Sequence, residues 1–284
     1  MPKKMSALRQ SLSQAALLLT GLFTLLPIWS MARLAFDASL KGRPTEFRWL
    51  PKTFSLQPLL DVLKRPYQSV DFNHLLGNSL LVSLGAAGLA ITLGLSLAYA
   101  FARFRFAGRQ SGLFLLLLTA VLPPVAFMTP FYILLSLLKI RGTLLALVIT
   151  YAAFGMPFCI WNMRAAFQSI PKEVEEAAFL DSASDLQTFL FITLPLALPS
   201  IGVAGLVAFL TGYSEFALGW LFVEKADTVT LSMAIWAMVQ TQYQGGAQPW
   251  SALGSFALLI ALPVVLVFLL LQNTLFNRFT YHQT

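Results

Sequence analysis

Six stretches of this chain contain no charged residue, and each is long enough to cross a bilayer: Gln10–Ala32, Leu75–Ala102, Gln110–Leu138, Gly142–Met163, Leu186–Ser214 and Thr228–Asn277. A helix rises about 1.5 Å per residue and the hydrocarbon layer is about 30 Å thick, so about 20 apolar residues make one span. Within that layer every backbone N–H and C=O must find its partner inside the segment, which selects helices for runs of this length. The composition agrees with a lipid solvent: 57% hydrophobic, 11% charged, mean hydropathy +0.74. We expect an all-α, polytopic membrane protein with six transmembrane helices. The last run is too long for one helix. Gly245, Gly246 and Pro249 divide it, which leaves Trp250–Leu271 as the span and Val229–Val239 as a shorter segment at the outer surface, re-entrant or interfacial.

Lys3, Lys4 and Arg9 precede the first run, and Ser30-Met31-Ala32 has the small-x-small form of a signal-cleavage site. That run is about twice the usual signal length, so a retained anchor is expected. Six spans put both termini on one side. Charge counting barely orients them: nine Lys or Arg fall on the side of the termini (Lys3, Lys4, Arg9, Arg103, Arg105, Arg109, Arg164, Lys172 and Arg278), and ten fall opposite. Local crowding is more telling. Arg103, Arg105 and Arg109 share a very short loop with no acid, whereas Asp37, Glu46, Asp61 and Asp71 dilute the long loop opposite. The formal charge of +7 is explained by topology, since no aromatic-basic module for nucleic acid is present.

Between the fourth and fifth apolar runs the chain reads SIPKEVEEAAFLDSASDLQTFLFITLPLALP, Ser169 to Pro199. Pro171 suits a helix start, and Glu173, Glu175 and Glu176 lie where the positive end of the helix dipole favours acids. Val174, Ala177, Ala178 and Asp181 recur at i, i+3, i+4 and i+7, a face whose small side chains would let another protein approach closely. Ser184 and Gln187 have capping-box spacing, so a second helix is expected from Leu186, with Phe189, Leu190 and Leu194 on its apolar side. Pro195 should then break or kink it.

This segment resembles the EAA loop of permease subunits in ATP-binding-cassette importers, through Glu176-Ala177-Ala178, Asp181, Ala183 and Leu194-Pro195. Where the family usually has Gly after the Asp, this chain has Ser182, whose Cβ resists the positive dihedrals of a sharp bend. The likeness extends from about His74 to Gln272. AYAFARFRFAGR at Ala98–Arg109 and Asn78-Ser79 are similar to the carbohydrate branch, particularly the six-span subunit of maltose-type transporters. The resemblance implies residues 1–11 as a cytoplasmic N-terminus, 12–34 as the first transmembrane helix and 35–73 as an extracytoplasmic loop. It implies 74–272 as the importer transmembrane domain, with the coupling loop at 166–195, and 273–284 as a cytoplasmic C-terminus. It also implies a heterodimer with a second permease subunit, two ATP-binding cassette ATPase subunits, an extracytoplasmic solute-binding protein and a place in a bacterial cytoplasmic membrane. Glu176 would face a basic residue of the ATPase. Tyr243, Gln244, Gly245 and Gly246, within the stretch between spans five and six, would reach the binding protein. Maltose-type relatives often end in a Gly-rich tail that enters the ATPase interface; RFTYHQT differs, so no regulatory tail contact is carried over.

Several chemistries lack residues to perform them. No GxxxxGK[ST] occurs, so ATP and Mg belong on a partner and this chain binds no cofactor. His74 and His282 stand about 200 residues apart, without HExxH or GxSxG, which leaves no metal or hydrolase site. The one cysteine, Cys159, lies in a span, where it is a small packing residue.

Interruptions at Pro123-Pro124 with Pro130, and at Gly155 with Pro157, are either bends lining a cavity or plain kinks. Glu215 lies 16 residues past Pro199, about 24 Å along the fifth span, and is a pathway candidate as an ionisable residue at depth. Tyr213, Phe216 and Trp220 would add aromatic faces for a sugar. The alternatives are a solvated carboxylate and the aromatic belt of any interface, the latter favoured for Trp220, Trp236 and Trp250. Asn162 either faces the path or bonds a neighbouring helix. The expected function is permeation of a sugar or sugar-like polyol by alternating access, driven through the insert by separate ATPases. A glycerol-phosphate importer and a non-transporting assembly factor or enzyme are the alternatives.

Overall fold

The computed structural model describes residues 7–40, 42, 44, 46–243 and 249–276. Its helices are α1 (Ala7–Ala35), α2 (Gln57–Lys64), α3 (Phe72–Arg103), α4 (Arg109–Val121), α5 (Met128–Leu137), α6 (Leu144–Ser169), α7 (Lys172–Leu180), α8 (Asp185–Thr188), α9 (Leu194–Ser214), α10 (Ala217–Phe222), α11 (Leu231–Tyr243) and α12 (Trp250–Phe276). Five spans are continuous: 9–35, 72–103, 144–169, 185–214 and 250–270.

The remaining expected span, Gln110–Leu138, is not straight. Its halves meet at 107° around Leu122-Pro123-Pro124. Two consecutive prolines remove two helical N–H groups, and Leu122 and Pro123 take the extended backbone that a following proline demands. The pair still runs from one end of the bundle to the other. Arg109 donates to the carbonyl of Phe101 at the C-terminal end of α3, while Gly142 N–H donates to Phe222 O and Arg141 pairs with Glu224 beyond α9. The six expected crossings are therefore five continuous helices and one broken one.

Helices α3, α6 and α9 form the centre, and small residues let their backbones meet. Gly155 lies against Ala208 with only 3.7 Å between an ideal Cβ and the opposite Cα, and a Cβ on Gly212 would stand 3.2 Å from Ser83 Cα. Cys159 is fully buried here, with its thiol 3.6 Å from Ala204 O, as expected of a packing residue. By contrast α1 touches the rest mainly at its C-terminal end, where Gly254 of α12 admits the Met31–Ala35 backbone and Ser255 Oγ donates to Ala35 O.

The segment expected as Val229–Val239 forms α11 and is anchored inward rather than resting on the surface. Asn78 Nδ2 donates to Asp227 O and Val229 O, Ser79 Oγ accepts from Leu231 N–H, and Ser232 Oγ donates to Glu215 O. Leu231, Met233 and Ala234 are buried beneath it.

Beyond α1 the chain folds into a loop closed by Asp37. Its carboxylate accepts from Ser39 N–H and Oγ, Lys52 N–H and Thr53 N–H, and Ala38 N–H and Ser55 N–H bond across to Thr53 O and Phe36 O. Burial opposes ionisation of Asp37, but the Ser39 hydroxyl and the three backbone donors outweigh it and hold the carboxyl at about 2. A depressed carboxyl stabilises above its unfolded value of about 3.9 and loses that contribution as pH falls through the folded value. Protection factors at Lys52 and Thr53, the exchange rates corrected for the intrinsic pH dependence of amides, should thus stay constant down to about pH 4 and fall towards pH 2, and Asp37→Asn should flatten that step.

Candidate functional site

The insert between α6 and α9 is built as its local sequence dictates. Pro171 stands at the N-cap of α7, with Glu173 and Glu175 in the first turn. Ser184 and Gln187 form a reciprocal capping box opening α8, with Gln187 N–H on Ser184 Oγ and Ser184 N–H on Gln187 Oε1. After α8 the chain winds as a π-helix over Phe189–Thr193, and Pro195 falls in the first turn of α9. The expected break at Pro195 is absent: the helix continues from Asp185 to Ser214. Pro195 lies inside that continuous helix, and the wider π-winding of Phe189–Thr193 just before it takes up the change of register around its missing N–H.

The bend between α7 and α8 survives the absent glycine. Ser182 adopts a left-handed φ of +64°, Ser182 N–H bonds Phe179 O, and Ala183 N–H bonds Ala178 O. These two bonds make a Schellman cap with Ser182 at the position glycine prefers. The Cβ costs about 1–2 kcal/mol in that conformation. Ser182→Gly should therefore slow hydrogen exchange at Ser182 and Ala183, with a gain near 0.5–1 kcal/mol after the larger unfolded entropy of glycine.

The outward face of α7 differs from the expected one. Ala178 is buried together with Glu175, whereas Val174, Glu176, Ala177, Phe179, Leu180 and Asp181 are exposed, Leu180 by 87%. The reason is Glu175. Its Oε1 accepts from Arg103 Nε at 3.0 Å and from Thr193 Oγ1 at 2.8 Å, and Arg103 also donates to Ile170 O. One buried carboxylate thereby ties α7 to the end of α3 and to the π-segment, and its helical neighbour Ala178 is turned inward with it. Tyr99 adds aromatic packing, 4.6 Å from Phe189 and 5.5 Å from Phe167. Arg109 and Arg164 both donate to Phe101 O, so cations crowd the C-terminal end of α3.

Sequence reasoning missed the Glu175–Arg103 pair. Its members are separated by 72 residues. The available signal was a second acid beside Glu176, three residues before an alanine on the same face.

At the opposite end, the pathway candidates divide. Tyr213, Phe216 and Ser214 line a cleft of about 560 Å³ between α9, α11 and α12, with Ser232, Trp236 and Ile260. Phe216 stacks on Trp236 at 4.6 Å, and Tyr213 stacks on Phe209 while its hydroxyl donates to Ile260 O. Glu215 does not line this cleft. Its oxygens accept from Leu218 N–H and Gly219 N–H at 3.0 and 3.3 Å, which makes it the cap of α10. Trp220 packs edgewise on Tyr67, away from the cleft, and Asn162 lies towards the insert end of α6. The side chain of Tyr243 and residues Gln244, Gly245 and Gly246 lie outside the described residues.

Removing one partner of a buried ion pair leaves an uncompensated charge, at a cost of about 3–5 kcal/mol. Glu175→Ala should increase proteolysis and hydrogen exchange of 172–188 by about 100-fold or more, leaving α3 and α6 protected. Adding Arg103→Met should restore part of the loss, a coupling that a double-mutant cycle reads directly.

Residues 90–281 match the family model described as binding-protein-dependent transport system inner membrane component. The chain is 29% identical to the maltodextrin transport system permease protein MdxG of Bacillus subtilis, covering 90% of this chain and 91% of that one. It is 26% identical to the trehalose transport system permease protein SugB of Mycobacterium tuberculosis, covering 88% and 89%. Its fold matches a chain in the crystal structure of a bacterial ABC transporter involved in the import of the acidic polysaccharide alginate, with a TM-score of 0.74 and 19% identity over 95% of this chain and 99% of that one.

Proposed function

The chain belongs to the family of binding-protein-dependent transport system inner membrane components, and from that premise we propose that it carries a sugar or sugar-like polyol across the membrane by alternating access. It is a multi-pass inner-membrane permease subunit of an ABC importer and not itself an enzyme. The enzyme and assembly-factor alternatives fall with that membership.

The observation that carries the proposal is the fastening of the insert. A short exposed helix fixed to the transmembrane bundle through a buried ion pair, a capping box and a continuous helix into α9 can receive a push and pass it on as a rigid-body motion. In this reading Glu176, Ala177 and Leu180 meet a separate ATPase that holds ATP and Mg, with Asp181, Ser182 and Ala183 forming the bend and Leu194-Pro195 handing the motion to α9. A second permease and a binding protein complete the assembly. The arginines gathered at the insert end, Arg103, Arg105, Arg109 and Arg164, support a cytoplasmic insert and cytoplasmic termini.

A neutral polyhydroxylated solute is favoured by the chemistry of the cleft. Tyr213, Phe216 and Trp236 supply ring surface for C–H bonds in a wall that is almost wholly apolar, the Ser214 and Ser232 hydroxyls donate to Leu210 O and Glu215 O, and no Lys or Arg lines it among the described residues. The names of the relatives, permeases for maltodextrin, trehalose and sulfoquinovosyl glycerol, support a sugar or sugar-like solute without fixing its charge.

Glu176 tests the coupling. In proteoliposomes holding the complete complex, Glu176→Ala should lower solute uptake at least tenfold and disconnect ATP hydrolysis from solute, with the chain still inserted in the membrane. Wild-type uptake in that variant would overturn the coupling role.

A further inference from the structure

Arg33 is the most buried cation at the chain's far end among the described residues, and none of them pairs it. It stands in the last turn of α1, 7% exposed, with its Nε fully enclosed and without a hydrogen-bond partner. Among the described residues it enters no ion pair. An enclosed guanidinium is costly without hydrogen-bond partners, and the two nearby acids direct their bonds elsewhere. Asp37 accepts four hydrogen bonds from the loop, and Glu46 is held by Arg48 at 2.7 Å.

Arg33 instead faces a polar pocket of about 200 Å³ that it lines with Asp37, Ser39, Glu46, Arg48 and Lys52. Among the described residues Lys52 makes no side-chain hydrogen bond or ion pair there. Counting side chains on the pocket wall, three cations meet two acids, so one negative charge is wanting. The cations suit an oxyanion: the guanidinium fork bonds phosphate oxygens in pairs and the Lys52 ammonium lies on the same wall, while the Ser39 donors are taken by Asp37.

The surroundings place that pocket beside lipid. α1 crosses the bilayer with its span largely uncovered, and Arg33 marks where it leaves the hydrocarbon. The loop then turns back onto the same flank, since Trp29 Nε1 donates to Trp49 O at 2.9 Å. Phe47, Trp49, Leu50, Phe54 and Leu56 each expose more than half their surface around the pocket. Two tryptophans and a ring of apolar side chains about a cationic cavity at the end of a span match the interface between acyl chains and headgroups.

We propose that this pocket holds the phosphate of an acidic phospholipid, phosphatidylglycerol-like in charge and size, whose acyl chains lie along α1 and the Phe47–Leu50 patch. The lipid phosphate supplies the hydrogen-bond acceptors that Arg33 lacks, balances the one excess positive charge of the wall and pins the loop to the leaflet at that end.

The test uses the complete complex in nanodiscs of phosphatidylcholine with a small fraction of photoactivatable phosphatidylglycerol. Native mass spectrometry should find one tightly retained acidic lipid on the wild type, and crosslinks should fall on peptides from residues 29–56. Lys52→Gln, on an exposed side chain that the fold does not need, should cut retention severalfold, and Arg33→Gln at least tenfold. Inorganic phosphate and glycerol phosphate at millimolar concentration should compete weakly, because the apolar patch contributes nothing to them. Crosslinks confined to other regions, equal retention in wild type and Lys52→Gln, or full competition by inorganic phosphate would each overturn the proposal. So would protection of 29–56 by a partner protein in place of lipid. If Arg33→Gln fails to assemble, the wild-type crosslinks and the Lys52 variant still decide.

Discussion

Everything in this chain hangs on how closely three helices can approach inside a solvent that gives them no hydrophobic reason to associate. Lipid tails are as apolar as leucine, so α3, α6 and α9 gain from contact only through dense packing and polar bonds between them. The residues at their seams are accordingly small: Ala86, Ala90 and Gly94 on α3, Ala152, Gly155 and Cys159 on α6, Ala204, Ala208 and Gly212 on α9. With the backbones this near, each end of the bundle becomes a fixed frame. The insert is attached to one end, and α10 and α11 to the other.

The two attachments use different chemistry. The far segment is pinned by neutral amide and hydroxyl groups, Asn78, Ser79 and Ser232, each bonded to a backbone group of the segment or its neighbour. The insert is pinned by a charge pair whose rupture leaves two buried ions. A neutral bond yields gradually, but a buried ion pair either holds or costs several kcal/mol. For an element that is to transmit a push from a partner, as proposed, an all-or-none fastening is the suitable one.

How far the sequence discloses this depends on the range of the forces involved. The span positions are legible because the bilayer imposes a length and a polarity on every crossing, and the bend of the third span is written in Pro123-Pro124. The capping box at Ser184 and Gln187 is equally local. What stays hidden is pairing across the chain: nothing near Glu175 announces Arg103, and so the inner face of α7 is misread by one helical position at Ala178. Ser182 shows the same limit from the other side. Its local preference argues against a sharp turn, yet the Schellman bonds and the tether at Glu175 impose one.

Glu215 shows why depth in a membrane is a weaker guide to function than the backbone needs around it. An acid near the end of a span invites a reading as a solute ligand. At that point, however, α9 stops and α10 begins, and a helix that starts within the protein must satisfy its first N–H groups without water. The carboxylate meets that need through Leu218 and Gly219, while its own carbonyl holds Ser232 of α11. The acid is thus used up by the fold, and the aromatic residues on either side of it, Tyr213 and Phe216, are turned towards the cleft. If a solute passes here, it meets rings set in place beside a half-buried carboxylate that does not line the cleft.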